Sequence, residues 1–111
     1  MPAYSTQQPV EYFPGEQVRA TFTFRQKDTL QKKDPTTVTV SVVDPDGNQE
    51  NYEWGIDAEV VKDSEGVFIF RKIYGLDDPK GIYQVRAQGT GILETAIEAL
   101  FALRKSDFTQ P

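Results

Sequence analysis

Apolar and polar residues alternate in two clear stretches of the chain. Val18, Ala20, Phe22 and Phe24 interleave with Arg19, Thr21, Thr23 and Arg25, and Val38, Val40 and Val42 interleave with Thr39 and Ser41. A period of two puts every second side chain on one face of a strand, so each stretch predicts a β-strand with one buried and one wet face. The second stretch stops at Asp44-Pro45-Asp46-Gly47-Asn48, where Pro fixes φ and Gly supplies the positive φ of a turn. Residues 51–61 are less regular and predict one or two shorter strands around Trp54 and Gly55. Asp63-Ser64-Glu65-Gly66 turns into Val67-Phe68-Ile69-Phe70, an unbroken apolar run expected to be covered on both faces. Asp77-Asp78-Pro79-Lys80-Gly81 turns into a strand over 82–87, with Tyr83, Val85 and Ala87 facing inward.

Residues 92–105 carry two conflicting patterns. Leu93, Ile97, Leu100 and Leu103 follow helical spacing among good helix formers, whereas Ala99, Phe101 and Leu103 alternate. Gly89-Thr90-Gly91 just before them reads as a hairpin turn. Tertiary context overrides propensity in strands, and a sheet that begins near Gly15 needs a closing partner, so a strand is expected here.

Placed in order, these strands have the cadence of an immunoglobulin-type sandwich. Gly15-Glu16-Gln17-Val18-Arg19-Ala20-Thr21-Phe22 matches its second strand, and Gly81-Ile82-Tyr83-Gln84-Val85 its penultimate one. Phe22 and Val85 then stand where antibody domains carry their two cysteines. Tyr83 falls two residues before the second of these, the position of a tyrosine corner. The expected fold is all-β, an immunoglobulin-like antiparallel β-sandwich of about seven to eight strands. It forms a single domain over 1–111, with a core over about 10–105 and short tails at 1–8 and 106–111.

Composition narrows the chemistry. At 111 residues one domain buries roughly two-thirds of its unfolded surface, enough for a sandwich core without staples. Cysteine and histidine are both absent, which removes disulfides, thiolate nucleophiles, the commonest general base and the commonest transition-metal ligand. No cofactor and no enzymatic activity are expected. Residues 1–8 lack a basic segment followed by an apolar one, so no export signal is expected, and no apolar run reaches the ~20 residues of a membrane helix. A membrane partner is therefore not expected.

Local motifs add no reaction. The 44–50 segment resembles a calcium loop, but its ligand spacing fails and a plain β-turn is the better reading. Asp77 and Asp78 are adjacent and serve the turn rather than acting as an acid–base pair. Gly89-x-Gly91 lacks the third glycine and the βαβ frame of a dinucleotide site.

Charge is uneven. Residues 50–65 hold six carboxylates against Lys62 alone, which accounts for the whole net charge of −5. The one basic cluster, Arg25, Lys27, Lys32 and Lys33, is diluted by Asp28 and Asp34 and reads as a solvated loop. A nucleic-acid partner is not expected, because phosphate needs a basic stripe. Glu50, Tyr52, Glu53 and Trp54 are the candidate partner contacts, an aromatic anchor within an acidic rim, with a core position as the competing reading of Trp54. Tyr52, Trp54 and Tyr74 also suggest a stacking platform for a sugar.

With these residues placed, the chain resembles a family of small immunoglobulin-like proteins encoded in tailed-bacteriophage structural gene clusters. The resemblance covers about residues 11–108. It rests on Tyr12-Phe13-Pro14-Gly15-Glu16, Asp34-Pro35-Thr36-Thr37-Val38-Thr39-Val40 and Val43-Asp44-Pro45-Asp46-Gly47. It continues through Val61-Lys62-Asp63-Ser64-Glu65-Gly66-Val67-Phe68, Pro79-Lys80-Gly81-Ile82-Tyr83-Gln84-Val85-Arg86-Ala87 and Gly89-Thr90-Gly91, and ends at Phe101-Ala102-Leu103-Arg104-Lys105-Ser106-Asp107-Phe108. It implies that the closing segment is a strand. It also implies a non-catalytic virion component made in the host cytoplasm, which decorates or cements the capsid or sits at the head–tail neck. The implied partners are other virion proteins, met alone or as a homo-oligomer on the particle. Secreted bacterial immunoglobulin-like or macroglobulin-like adhesion modules share the Pro-Gly-Glu start and the Gly-x-Tyr strand and form the first alternative. A carbohydrate-binding module is the second.

Overall fold

A computed structural model describes residues 10–26, 29–91 and 95–104. Its strands are β1 (Val10–Tyr12), β2 (Gln17–Thr23), β3 (Thr37–Val43), β4 (Gln49–Glu53), β5 (Val60–Ser64), β6 (Val67–Ile73), β7 (Gly81–Thr90) and β8 (Thr95–Leu103). They build two sheets, one ordered β1-β8-β7-β3-β4 and the other β2-β6-β5. Among the described residues the protein is an all-β, immunoglobulin-like sandwich of eight strands.

Alternation places the core between the sheets. Val18, Phe22, Phe68 and Phe70 come from the smaller sheet, and Val38, Val40, Val42, Tyr83, Val85, Ala87, Phe101 and Leu103 from the larger. Phe22 and Val85, each 1% exposed, sit on opposite sheets of this one cluster, so apolar packing stands where a disulfide could bridge. Val67 and Ile69 face away from the core yet are also buried, as the unbroken apolar run predicts for a central strand.

The closing segment is β8, paired antiparallel with β7 from Gly81↔Leu103 to Gly89↔Thr95. Phe101 and Leu103 are buried while Leu100 is exposed, so the period-two pattern wins over helix propensity. Residues 92–94 and 105 of that expectation lie outside the described residues.

Two short strands, β4 and β5, flank Trp54 and Gly55 as expected, and these two residues lie in the turn between them. There Gly55 takes a φ of 92°, which most side chains resist. Two expectations need correction. Gly89 and Thr90 close β7 instead of forming a turn. Gly89 is required by close packing, since a Cβ there would lie 2.7 Å from Pro35 and 3.0 Å from a ring carbon of Phe24. Finally, the sandwich is not wholly antiparallel. β1 runs parallel to β8, a pairing open to them because nearly the whole domain serves as the connection.

Candidate partner-binding face

β4 is an edge strand of the larger sheet, hydrogen-bonded on one side to β3. Its polar residues face solvent and leave Glu50 and Glu53 exposed. Tyr52 points to the face opposite Glu53, the face it shares with Glu50. It is 9% exposed and packs against Phe70 with ring centroids 5.4 Å apart, while its hydroxyl donates to Oε1 of Glu50. Trp54 is half-buried, edge-on to Phe68 at 4.8 Å, and its amide donates to the Val38 carbonyl.

The aromatic anchor expected from sequence is therefore not an exposed pair. Tyr52 belongs to the core, and Trp54 closes its side with one edge toward solvent. The sugar-stacking platform fails for the same reason, because Tyr52 and Tyr74 are both buried. Inward positions of β4 lie among carboxylates in sequence, and that neighbourhood disguised them as surface. The exposed apolar residue of this region is instead Ile56, at 75%. It sits on the turn that Asp57 holds by accepting the Glu53 amide at 2.8 Å.

Tyr83 occupies the corner that leads into β7. Its hydroxyl donates to the Pro79 carbonyl at 2.7 Å, tying the start of the strand to the preceding turn. Burial, with nearby Asp78 and Asp44 adding to it, pushes this hydroxyl up to about 12.

Beside Tyr83, a cleft of about 90 Å³ opens between the sheets at the end marked by the 44–48 turn. Asp44, Glu50, Lys72, Tyr74, Asp78 and Tyr83 line it. Asp44 is committed to its own turn, where Oδ1 accepts the amides of Asp46 and Asn48, each at 2.9 Å. Asp78 Oδ2 accepts the Gly75 amide at 2.7 Å. Tyr74 is 5% exposed, and its hydroxyl has no hydrogen-bond partner among the described residues. Burial above all pushes the hydroxyls of Tyr52 and Tyr74 upward, with the hydrogen bond to Glu50 adding to it at Tyr52 and the neighbouring Tyr52 and Tyr83, then Glu50 and Asp78, adding to it at Tyr74.

Lys72 is the member of this cleft that sequence reading passed over. It pairs with Val18 on β2 and continues the inward row begun by Phe68 and Phe70. Its Nζ lies 5.4 Å from the Tyr74 ring centroid and 5.8 Å from that of Tyr52. Counting by twos from Phe68 would have found it.

Among the described residues, no cluster of three or more acidic side chains is placed to hold a metal ion, and no helix is long and apolar enough to cross a membrane. No protein-family model matches the chain, and no curated protein matches it.

Proposed function

We propose that the protein is a non-enzymatic structural module of a tailed-bacteriophage virion, attached by protein–protein contact to the capsid surface or the head–tail neck. Its place is the particle, after synthesis in the host cytoplasm, and its partners are other virion proteins. What supports this reading is the family resemblance, and the structural observation that agrees with it is β8. The family resemblance calls for a closing strand, local helix propensity opposes one, and Thr95–Leu103 is a strand.

Attachment runs along the β4 side. Glu50 and Glu53 are the solvent-facing members of the four candidate contacts, while Tyr52 and Trp54 support them from within. A capsid or neck lattice repeats its sites, so modest single contacts add up through high effective concentration.

The test is biochemical. Particles purified from cells that carry the gene are probed for the protein by mass spectrometry and by antibody labelling. The proposal expects several copies per particle, released in part by high salt because exposed charge pairs are screened. Absence from purified particles, with the protein left in the unassembled fraction, overturns it.

A further inference from the structure

We infer that the cleft between the sheets receives an arginine side chain of a basic partner protein, with Lys72 as the resident cation that the arginine displaces. This rests on the reading of the protein as a docking module and names the chemistry of what it docks to.

Size sets the class of ligand. A cleft of about 90 Å³ has room for about three water molecules, far below the roughly 300–1,000 Å³ of sites that hold small-molecule ligands. A single side-chain head group fills it, and a sugar ring or nucleotide does not.

Charge sets the sign. Asp44, Glu50 and Asp78 face Lys72 alone across the cleft. Asp44 is spent on its turn. Glu50 and Asp78 each use one described oxygen, toward the Tyr52 hydroxyl and the Gly75 amide, and keep the other for a ligand.

The Tyr74 hydroxyl adds an independent demand. It is buried in the wall of the same cleft without a hydrogen-bond partner among the described residues, and Glu50 and Asp78 are among the charges that act on it. Buried polar groups are normally paired, so this one marks the position of a polar group brought from outside.

Lys72 shows where a cation is favoured. Its ammonium lies over the Tyr52 and Tyr74 rings, and among the described residues it makes no ion pair with a carboxylate. A guanidinium suits that position better, because its planar fork stacks on rings and also reaches carboxylates and a hydroxyl. The flexible lysine stem lets the displaced ammonium return to water.

The test titrates the full-length protein with Nα-acetyl-arginine N-methylamide, followed by NMR, with the acetyl-citrulline counterpart as the uncharged control. Saturable shifts at Glu50, Lys72, Tyr74 and Asp78 are expected for arginine only. Glu50→Gln combined with Asp78→Asn should weaken the probe at least about tenfold, since two charge-assisted bonds are lost, and Lys72→Met should tighten it. The amide replacements keep an acceptor oxygen for Tyr52 and Gly75, and a thermal melt checks the fold. Equal shifts with citrulline, no saturable shift at these residues, or an unaffected double variant overturns the inference. Co-sedimentation with particles separates the two readings. A wild-type protein that never co-sediments defeats the virion reading and leaves the titration standing. A double variant that sediments as well as wild type removes the cleft from docking.

Discussion

The Tyr12 hydroxyl takes the place of a neighbouring strand for Arg19. It donates to the Arg19 carbonyl at 3.2 Å and accepts from the Arg19 amide at 3.3 Å. β2 is an edge of the smaller sheet, and such an edge offers its free backbone groups to any passing chain. One phenol from β1, which belongs to the other sheet, blocks the middle of that edge and ties the sheets together.

Removing the hydroxyl tests this. Tyr12→Phe should cost about 1 kcal/mol of stability, the net value of an ordinary hydrogen bond. It should also raise light scattering on concentration, because the β2 edge is then open to pairing. Unchanged melting together with unchanged scattering would show that Tyr12 is incidental to the edge.

Trp54 gives a graded expectation. A fully buried Trp→Ala change costs about 3–5 kcal/mol, and Trp54 is half-buried against Phe68. Trp54→Ala should therefore cost about 2 kcal/mol without unfolding the domain, whereas Ile56→Ser on the exposed turn should stay within about 0.5 kcal/mol. Denaturant melts of the two variants compare them directly.

Gly89 is predicted to be intolerant. Its backbone passes too close to Pro35 and Phe24 for a methyl group, so Gly89→Ala must push the 35–36 segment outward. A loss of about 1–3 kcal/mol is expected, the range for overpacking a tight site. Gly47→Ala on the open 44–48 turn meets no neighbour, and it should cost only its backbone strain at a φ of 92°, about 1–2 kcal/mol.

Leu30 should be improvable. It is the described non-glycine residue with a positive φ, 60°, and its side chain is 66% exposed, so it bears backbone strain with little packing in return. Leu30→Asn suits that conformation and should raise stability by about 0.5–1 kcal/mol, read as a higher melting temperature.

Acid should weaken the fold partly through Asp34. Its carboxylate accepts from Lys62 Nζ and from the Gly66 amide at 2.7 Å. The Lys62 bond comes first among the causes, burial opposes it, and the net effect is a carboxyl held below its ordinary 3.8. A lowered folded-state value means that this stabilisation is fully present above 3.8 and is lost as pH falls through the lower value. Denaturant titrations across the acid range should show a flatter acid limb for Asp34→Asn. An identical limb would assign acid sensitivity to other carboxylates.

How far the sequence reaches differs between core and surface. Val18 to Phe24 and Val38 to Val42 announce their faces because their alternation is unbroken, and Tyr83 announces its corner through its place after Gly81. Residues 92–105 required an argument about sheet closure, since leucine spacing alone favours a helix. Tyr52 reads as surface because carboxylates crowd around it in the chain, although strand geometry sends Glu53 to the opposite face and leaves Glu50 beside Tyr52 at the rim of the cleft. Lys72 was missed because Arg71-Lys72 reads as the polar end of an apolar strand. Its orientation follows from register, and the partners that make it matter come from β4 and the loop before β7, which no local window contains.

The parallel alignment of β1 and β8 has a mechanical consequence. Val10 lies beside Phe101 and Tyr12 beside Leu103, and beyond them the Arg104 amide bonds to the Tyr12 carbonyl and its guanidinium to Glu11, each at 2.9 Å. Tension applied between the chain before Val10 and the chain after Arg104 drags these strands past one another along their length. Every bond between them then bears load at once, whereas an antiparallel pair pulled from one end would unzip bond by bond. A domain strung this way resists stretching through its first and last strands, and the short seam between them sets the force at which it yields.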